Sequence, residues 1–254
     1  MENDKWKMEN GKSKGDVSVF DSPAEVAHAA AERFVSLAEK RIAASRRFSV
    51  ALSGGSTPRQ VYELLASNKY RDQIEWSRTH IFFGDERCVS ANDPASNYRM
   101  AYETMISRLP IPAENVHPII GEGEATANAR AYEQELKAAF PNHDWPRFDL
   151  IFLGLGDDGH TASLFPGTAA LKERNAWVVA NWVEKLRSFR ITLTVPAINH
   201  AANIFFLVTG TEKAKALAAV LHGQKQEEMY PAQLVQAENG SLIWLVDKAA
   251  AIYL

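Results

Sequence analysis

One histidine and one aspartate stand two positions apart in a glycine-rich segment that could support acid–base chemistry. The segment reads Gly154-Leu155-Gly156-Asp157-Asp158-Gly159-His160 and follows the apolar run 148–153. Histidine titrates near neutral pH, so the side chain of His160 can take a proton from water. A neighbouring carboxylate such as Asp158 can fix the histidine tautomer and stabilise the imidazolium. We therefore predict that His160 and Asp158 are catalytic.

Other interpretations of this segment have less support. Gly154, Gly156 and Gly159 match the G-x-G-x-x-G pattern of dinucleotide sites. The two aspartates between them would repel a pyrophosphate, which argues against such a site. Asp158 and His160 could supply two metal ligands, but the spacing of the other histidines gives no third. The chain also lacks a G-x-S-x-G nucleophile motif, so a serine hydrolase is not indicated.

A second glycine-rich loop, residues 53–57, lies between the apolar run Phe48–Leu52 and a helix start that contains Pro58. Glycine lets the backbone approach a ligand closely. Free N–H groups at a helix start attract anions, typically phosphate. We predict a phosphate-binding loop made of Ser53, Gly54, Gly55, Ser56 and Thr57. No G-x-x-x-x-G-K-[ST] motif occurs, so a nucleotide P-loop is not supported.

Further charged and polar residues follow predicted strands or open helices. Asp85 could bind sugar hydroxyls or orient a catalytic group, and Arg87 could bind phosphate or hold nearby carboxylates. Asn97 could contact the ligand or cap the next helix. Arg190 on a strand and Lys213 in the first turn of a helix would suit a phosphate. Considered singly, Arg190 and Lys213 are more typical of surface charges, and charges at a strand end such as Asp85 and Arg87 are as often only solvated.

The elements that must position these residues alternate between strands and helices. Strands are predicted at 17–20, 48–52, 80–83, 148–153, 177–180, 190–195, 204–208 and 242–246. Helices are predicted after the starts at Ser22 and Thr57, and over 95–109, 124–140 and 211–222. This alternation predicts an α/β fold of the doubly wound, Rossmann-like type, with a mainly parallel sheet flanked by helices. Ligands bind outside the carboxyl ends of such strands, which is where the candidate residues lie.

Composition sets limits on domains, partners and compartment. Hydrophobic residues make up 46% and charged residues 23% of the 254 residues, as in a globular protein. We predict a flexible tail over residues 1–16 and a single domain over residues 17–254. The net charge of −3 gives no argument for nucleic acid or an anionic membrane as a partner. The single cysteine and the absence of a signal-peptide pattern favour a cytoplasmic protein.

Taken together, the loops resemble those of the 6-phosphogluconolactonase family. The resemblance covers nearly the whole chain from about Val17, and its most specific segment is residues 156–167, Gly-Asp-Asp-Gly-His-Thr-Ala-Ser-Leu-Phe-Pro-Gly. Asp93 and the segments 52–58, 84–87, 96–99, 190–194, 210–214 and 231–235 extend the match. One segment departs: the family often has a Lys-Pro-Pro-like stretch where residues 184–189 read Glu-Lys-Leu-Arg-Ser-Phe. Both Arg187 and Arg190 therefore stay open as ligands of the phosphate.

The resemblance implies a fold shared with glucosamine-6-phosphate isomerases. It implies hydrolysis of 6-phosphogluconolactone, in the oxidative pentose phosphate pathway, without metal or other cofactor. His160 would be the catalytic histidine and Asp158 its acidic neighbour. The loop 53–57, Arg87, Arg190 and Lys213 would bind the small sugar-phosphate substrate, and we expect a monomer or weak homodimer.

Two other functions have less support from the sequence. A glucosamine-6-phosphate deaminase would need a glutamate where the family likeness places Phe165. A non-catalytic sugar-phosphate sensor would need an attached DNA-binding module, for which the first 16 residues are too short.

Overall fold

A computed structural model describes residues 5–7 and 13–254 of the chain. The strands within these residues are β1 (Lys5–Lys7), β2 (Ser13–Phe20), β3 (Phe48–Leu52), β4 (Thr79–Phe83), β5 (Asp85–Arg87), β6 (Leu150–Leu153), β7 (Val178–Val183), β8 (Ser188–Leu193), β9 (Asn203–Val208) and β10 (Ser241–Asp247). The α-helices are α1 (Pro23–Ser45), α2 (Ser56–Leu65), α3 (Asn97–Thr104), α4 (Ala125–Ala139), α5 (Val195–Asn199) and α6 (Ala214–His222). Short 3-10 helices lie between several of these elements.

The main sheet confirms the predicted α/β class. Its strand order is β1-β2-β10-β9-β6-β3-β4, and every pairing is parallel except that of β1 with β2. All residues of β3 and β6 are buried, as expected for parallel strands covered on both faces. Strands β9, β6, β3 and β4 are neighbours, so the loops that follow them meet at one edge.

A second, three-stranded antiparallel sheet has the order β5-β8-β7. Helix α4 packs against β7 and β8. The sequence pattern places strands near β7 and β8 but does not separate them from the main sheet. It also misses β5, because Asp85–Arg87 carries only charged residues and no apolar alternation.

Gly84 joins the two sheets. It is the only residue between β4 and β5, and its N–H donates to the carbonyl of Leu52 in β3 at 2.8 Å. Its own carbonyl accepts from the N–H of Leu193 in β8 at 2.9 Å. The loop that carries Asp85 and Arg87 is therefore tied to strands of both sheets.

Of the two predicted helix starts, one is confirmed and the other is wrong. Helix α1 begins as predicted, because the Ser22 side chain accepts from the N–H of Glu25 at 3.3 Å. The prediction that Thr57 caps the next helix is wrong: α2 already begins at Ser56, with Gly55 as its cap. The Thr57 hydroxyl instead bonds the hydroxyl of Thr209 at 2.7 Å, joining two loops of the site.

The core lies between the main sheet and its helices. The ring of Phe34 in α1 stands edge-on to that of Phe48, with centroids 5.1 Å apart, and stacks on Phe152 at 6.1 Å. All three side chains are fully buried. Burying a phenylalanine contributes roughly 1.5–3 kcal/mol, so this cluster fixes α1 over β3 and β6.

The sheet begins before the predicted domain boundary at residue 17. Strand β2 starts at Ser13, and Lys5–Lys7 pairs with it. Residues 5–7 and 13–16 of the predicted flexible tail are thus strand residues. The rest of that prediction, residues 1–4 and 8–12, lies outside the described residues. No helix in the part of the chain described is long and apolar enough to cross a membrane.

Candidate active site

An open cleft of about 270 Å³ lies at the carboxyl edge of the main sheet. Its walls come from the loops after β3, β4, β6 and β9, the four neighbouring strands. Of the residues predicted to act in the site, those that line the cleft are Ser53, Gly54, Gly55, Ser56, Thr57, Asp85, Arg87, Asn97, His160 and Lys213. The structure therefore brings together residues up to 160 positions apart in sequence.

His160 and Asp158 form a hydrogen-bonded pair on one wall. The Nδ1 atom of His160 lies 2.5 Å from Oδ1 of Asp158, which also accepts from the His160 N–H at 3.2 Å. The imidazole stacks on the ring of Phe165, with centroids 4.0 Å apart. Because Nδ1 is engaged, Nε2 is the ring nitrogen available to other groups. Asp158 lies behind the histidine and lines the neighbouring surface groove, not the cleft itself.

The tight turn around the pair requires glycine at two positions. A Cβ atom on Gly156 would lie 2.0 Å from Nδ1 of His160 and 2.7 Å from Oδ1 of Asp158. Gly159 has a φ of 77°, a left-handed conformation that disfavours other residues. The Gly156 N–H closes the turn by donating to the carbonyl of His160 at 2.8 Å. Gly156 and Gly159 thus allow the close contact between His160 and Asp158.

The Asp158 carboxylate has its pKa set by opposing influences. Partial burial raises the pKa, but hydrogen bonds and charge attraction from His160, with a further hydrogen bond from Lys185, outweigh it. The resulting pKa is about 2, so the carboxylate is ionised at neutral pH. The Lys185 ammonium lies 3.1 Å from Oδ2, the oxygen that His160 does not use.

The loop 53–57 is anchored by a buried tyrosine. The hydroxyl of Tyr62 accepts from the N–H of Ser53 at 3.0 Å and donates to the Ser53 carbonyl at 2.8 Å. A Cβ atom on Gly54 would lie 2.0 Å from Oδ1 of Asn97, so this approach also needs glycine. Oγ of Ser53 and Oδ1 of Asn97 are buried without a hydrogen-bond partner in the described structure, although both residues line the cleft. Unpartnered buried polar atoms are rare and often mark a functional site.

Asp85 is held in place while Glu86 supports the helix beside it. The buried Asp85 carboxylate accepts from Oγ of Ser163 at 2.6 Å and from Nδ2 of Asn97 at 3.3 Å. Glu86 accepts from the N–H groups of Asn97 and Tyr98 at 2.7 and 2.8 Å, at the start of α3. Burial raises the pKa of Glu86, while these main-chain hydrogen bonds oppose the rise. Asn97 does not cap α3, since the side chain of Ser96 does.

Two cations line the cleft and a third stands beside it. Arg87 and Lys213 have no carboxylate within 4.0 Å among the residues described. Arg190 does not line the cleft. It faces Arg87 across the β5–β8 pairing, and its guanidinium donates to Oγ of Ser188 at 2.8 Å. Burial, and then the charge of Arg87, lower the pKa of Arg190. Arg187 is exposed and outside the cleft lining.

Several residues that shape the site were not predicted from the sequence. Glu212 and Ala162 line the cleft, and Ala162 has a φ of 48°, unusual for a residue other than glycine. Tyr62 and Lys185 act through contacts that join distant segments, so no local pattern marks them. The usable signal in the sequence was a position directly after a predicted strand. This signal would have identified Thr209, which lines the cleft. No group of three or more His, Cys, Asp or Glu side chains that could hold a metal ion occurs among the described residues.

Known proteins with similar sequences and structures point to one family. Residues 21–244 match the family model described as glucosamine-6-phosphate isomerases/6-phosphogluconolactonase. A 6-phosphogluconolactonase of Nostoc sp. is 42% identical over 208 residues, covering 80% of this chain and 83% of the relative. The solved 6-phosphogluconolactonase of Trypanosoma brucei superposes with a TM-score of 0.84 at 31% identity, over 94% of this chain and 98% of that one.

A monomeric glucosamine-6-phosphate deaminase has the same fold. Its TM-score is 0.80 at 19% identity, covering 94% of this chain and 99% of the other. The family match spans the strands and all four loops that build the cleft. The chain therefore belongs to the glucosamine-6-phosphate isomerase and 6-phosphogluconolactonase family.

Proposed function

We propose that the protein is a 6-phosphogluconolactonase, which hydrolyses 6-phospho-D-glucono-1,5-lactone to 6-phospho-D-gluconate in the oxidative pentose phosphate pathway. The observation that carries the proposal is His160, paired with Asp158 at 2.5 Å, on the wall of a cleft that Arg87 and Lys213 also line, neither with a carboxylate within 4.0 Å among the residues described. A phosphorylated ester needs both a base and an anion site. The lactonases of Nostoc and Trypanosoma brucei, which share the family, support the same reaction class.

In the proposed reaction, Nε2 of His160 removes a proton from water as the water oxygen attacks the lactone carbonyl carbon. Asp158, ionised at neutral pH, stabilises the imidazolium through Nδ1. The tetrahedral intermediate then collapses, the bond from the carbonyl carbon to the ring oxygen breaks, and Nε2 returns the proton to that oxygen. The product is the open-chain sugar acid, whose carboxyl group then ionises to a carboxylate.

The substrate phosphate is proposed to bind where loop 53–57 opens helix α2. The helix start offers N–H groups to an anion, and Arg87 and Lys213 add positive charge to the same cleft. Asp85 and Asn97 supply buried acceptor atoms that suit sugar hydroxyls. Arg190 is proposed to contribute charge from behind Arg87 instead of contacting the phosphate itself. When the substrate binds at these groups, its lactone carbonyl is held beside His160. Binding energy thereby positions the reacting atoms.

Phe165 argues against the deaminase alternative. Its ring stacks on the imidazole of His160 with centroids 4.0 Å apart. The family likeness places the deaminase glutamate at this position, and a phenyl ring can neither donate nor accept the proton that ring opening requires.

We also propose that the protein works in the cytoplasm as a monomer or weak homodimer. Sedimentation velocity at micromolar concentration tests the oligomeric state.

The decisive experiment is a lactone hydrolysis assay. The lactone is generated in situ, product formation is followed, and wild type is compared with His160→Ala and a no-enzyme blank. We expect wild type to exceed the blank, and the variant to lose about 10²–10⁴-fold in kcat while staying folded. If folded wild type gives no rate above the subtracted blank, the lactonase proposal is wrong. Binding of 6-phosphogluconate without turnover would then favour a sugar-phosphate sensor.

A further inference from the structure

Lys185 is bound to the catalytic pair from outside the cleft. Its ammonium lies 3.1 Å from Oδ2 of Asp158, while Oδ1 of the same carboxylate lies 2.5 Å from Nδ1 of His160. The two oxygens of Asp158 are therefore shared between a lysine and a histidine that are 25 positions apart. Lys185 itself does not line the cleft.

The geometry gives Lys185 a role other than stability. Its side chain is 63% exposed, and ion pairs so accessible to water add little to the stability of a fold. Both contacts from His160, however, are to Oδ1, and a carboxylate rotates broadly about its last torsion, so these contacts leave the position of Oδ2 open. A second contact on Oδ2 fixes the carboxylate plane and keeps Oδ1 turned toward the histidine.

The loop that carries Lys185 is suited to hold this position. Lys185 lies within the 3-10 turn Glu184–Leu186, and the following Arg187 has a φ of 45° that directs the chain back into β8. Glu184 is occupied elsewhere, since its carboxylate accepts from Nε1 of Trp182 at 2.8 Å. The carboxylate of Asp158 is therefore the one that Lys185 contacts within 4.0 Å in the described structure.

We infer that Lys185 is a positioning residue for hydrolysis: through Asp158 it holds His160 in the orientation and tautomer that water activation needs. The catalytic part of this inference rests on the proposed function, whereas the contacts among Lys185, Asp158 and His160 do not depend on it. Asp157, on the same loop as the pair, is a further charge that acts on Lys185, and Glu184 precedes Lys185 in its turn. Without the lysine contact on Oδ2, the Asp158 carboxylate can turn, and Oδ1 holds Nδ1 of His160 less firmly.

The test compares Lys185→Met, which keeps length and loses charge, with Lys185→Arg, which keeps the charge. We expect Lys185→Met to lower kcat about fivefold and to leave KM within about twofold. Lys185→Arg should restore most of the rate. Lys172→Met is the matched control, because Lys172 also forms an exposed ion pair, 3.0 Å from Glu228. It should behave as wild type.

A second readout separates this inference from the lactonase proposal. The Nδ1–H proton of His160, which lies in the hydrogen bond to Asp158, is followed by NMR in wild type and Lys185→Met. A signal that weakens or is lost to exchange in the variant supports the positioning role even if no lactone is hydrolysed. Unchanged kcat and an unchanged Nδ1–H signal would overturn the inference. An increase in KM alone would also overturn it, since Lys185 would then contact substrate directly.

Discussion

The two halves of the cleft are held by different kinds of contact. On the anion-binding side, a buried neutral hydroxyl fixes the main chain: Tyr62 bonds both backbone groups of Ser53. Burial raises the pKa of this phenol strongly, so it stays neutral. On the catalytic side, partly exposed polar side chains hold each other, from the Lys185 ammonium through the Asp158 carboxylate to the His160 ring.

This difference separates affinity from turnover. Loops fixed by main-chain hydrogen bonds in the interior resist changes in salt and pH, because neutral groups carry the contacts. Charges near the surface respond to both. We therefore expect variants on the anion-binding side to alter stability and KM, and variants on the catalytic side to alter kcat and its pH dependence.

The largest expected effect is that of Gly156→Ala, which tests the catalytic half directly. The new Cβ atom would lie 2.0 Å from Nδ1 of His160, so the imidazole must move. Misplacing a reacting group by about 1 Å can cost on the order of 10²-fold in rate, and we expect that loss in kcat. Gly154→Ala is the comparator in the same segment, since its Cβ would meet no atom within 4 Å. Equal losses in the two variants would contradict a specific role for the close approach at Gly156.

Tyr62→Phe tests the other half. Removing the hydroxyl leaves a buried N–H and a buried carbonyl of Ser53 unpaired, at a cost of about 1–3 kcal/mol in the free energy of unfolding. We expect KM for the lactone to rise several-fold while kcat changes little, measured in the same hydrolysis assay.

Tyr132→Phe provides the matched control for this prediction. It deletes the same pair of hydrogen bonds at Phe83, which does not line the cleft. Its stability should fall by a similar amount while KM stays near the wild-type value. If both variants raise KM equally, the effect is general loosening and not a property of loop 53–57.

The smallest expected effects are opposite slopes of stability against pH. Asp158 has a folded pKa of about 2, below its ordinary value of 3.8. Its contribution is therefore present above about pH 4 and is lost as pH falls toward 2. Glu86 has a raised pKa because burial opposes its charge, so its contribution is full below 4.5 and is lost as pH rises through the folded pKa.

Urea unfolding of Asp158→Asn and Glu86→Gln at several pH values measures these slopes. Relative to wild type, the asparagine variant should lose less stability between pH 4 and pH 2. The glutamine variant should lose less as pH rises from 4.5. Parallel curves for all three proteins would show that neither carboxylate has the shifted pKa on which the comparison depends.

Much of the cleft was predictable because its loops follow buried strands. The apolar runs at 48–52 and 204–208 coincide with β3 and lie within β9, and the loops after them meet as the parallel topology requires. The second sheet was not separated from the first, since pairing partners leave no local pattern in a charged strand such as β5.

The errors in the site share a physical cause, which is that long-range contacts override local ones. The Thr57 hydroxyl fits the pattern of a helix cap, but it bonds Thr209, 152 residues away. Arg190 lies on a strand and stays a predicted ligand of the phosphate, but its register on β8 sets it beside Arg87 and outside the cleft lining. Lys185 reaches Asp158 only because the fold brings their loops together.

The single glycine between the two sheets has a mechanical consequence. Gly84 is hydrogen-bonded to β3 on one side and to β8 on the other, with no spare residue to act as a linker. Swinging one sheet against the other would break at least one of these bonds. The two sheets thus set the distance between the Arg87 loop and the His160 loop, and we expect the width of the cleft to change little when a ligand binds.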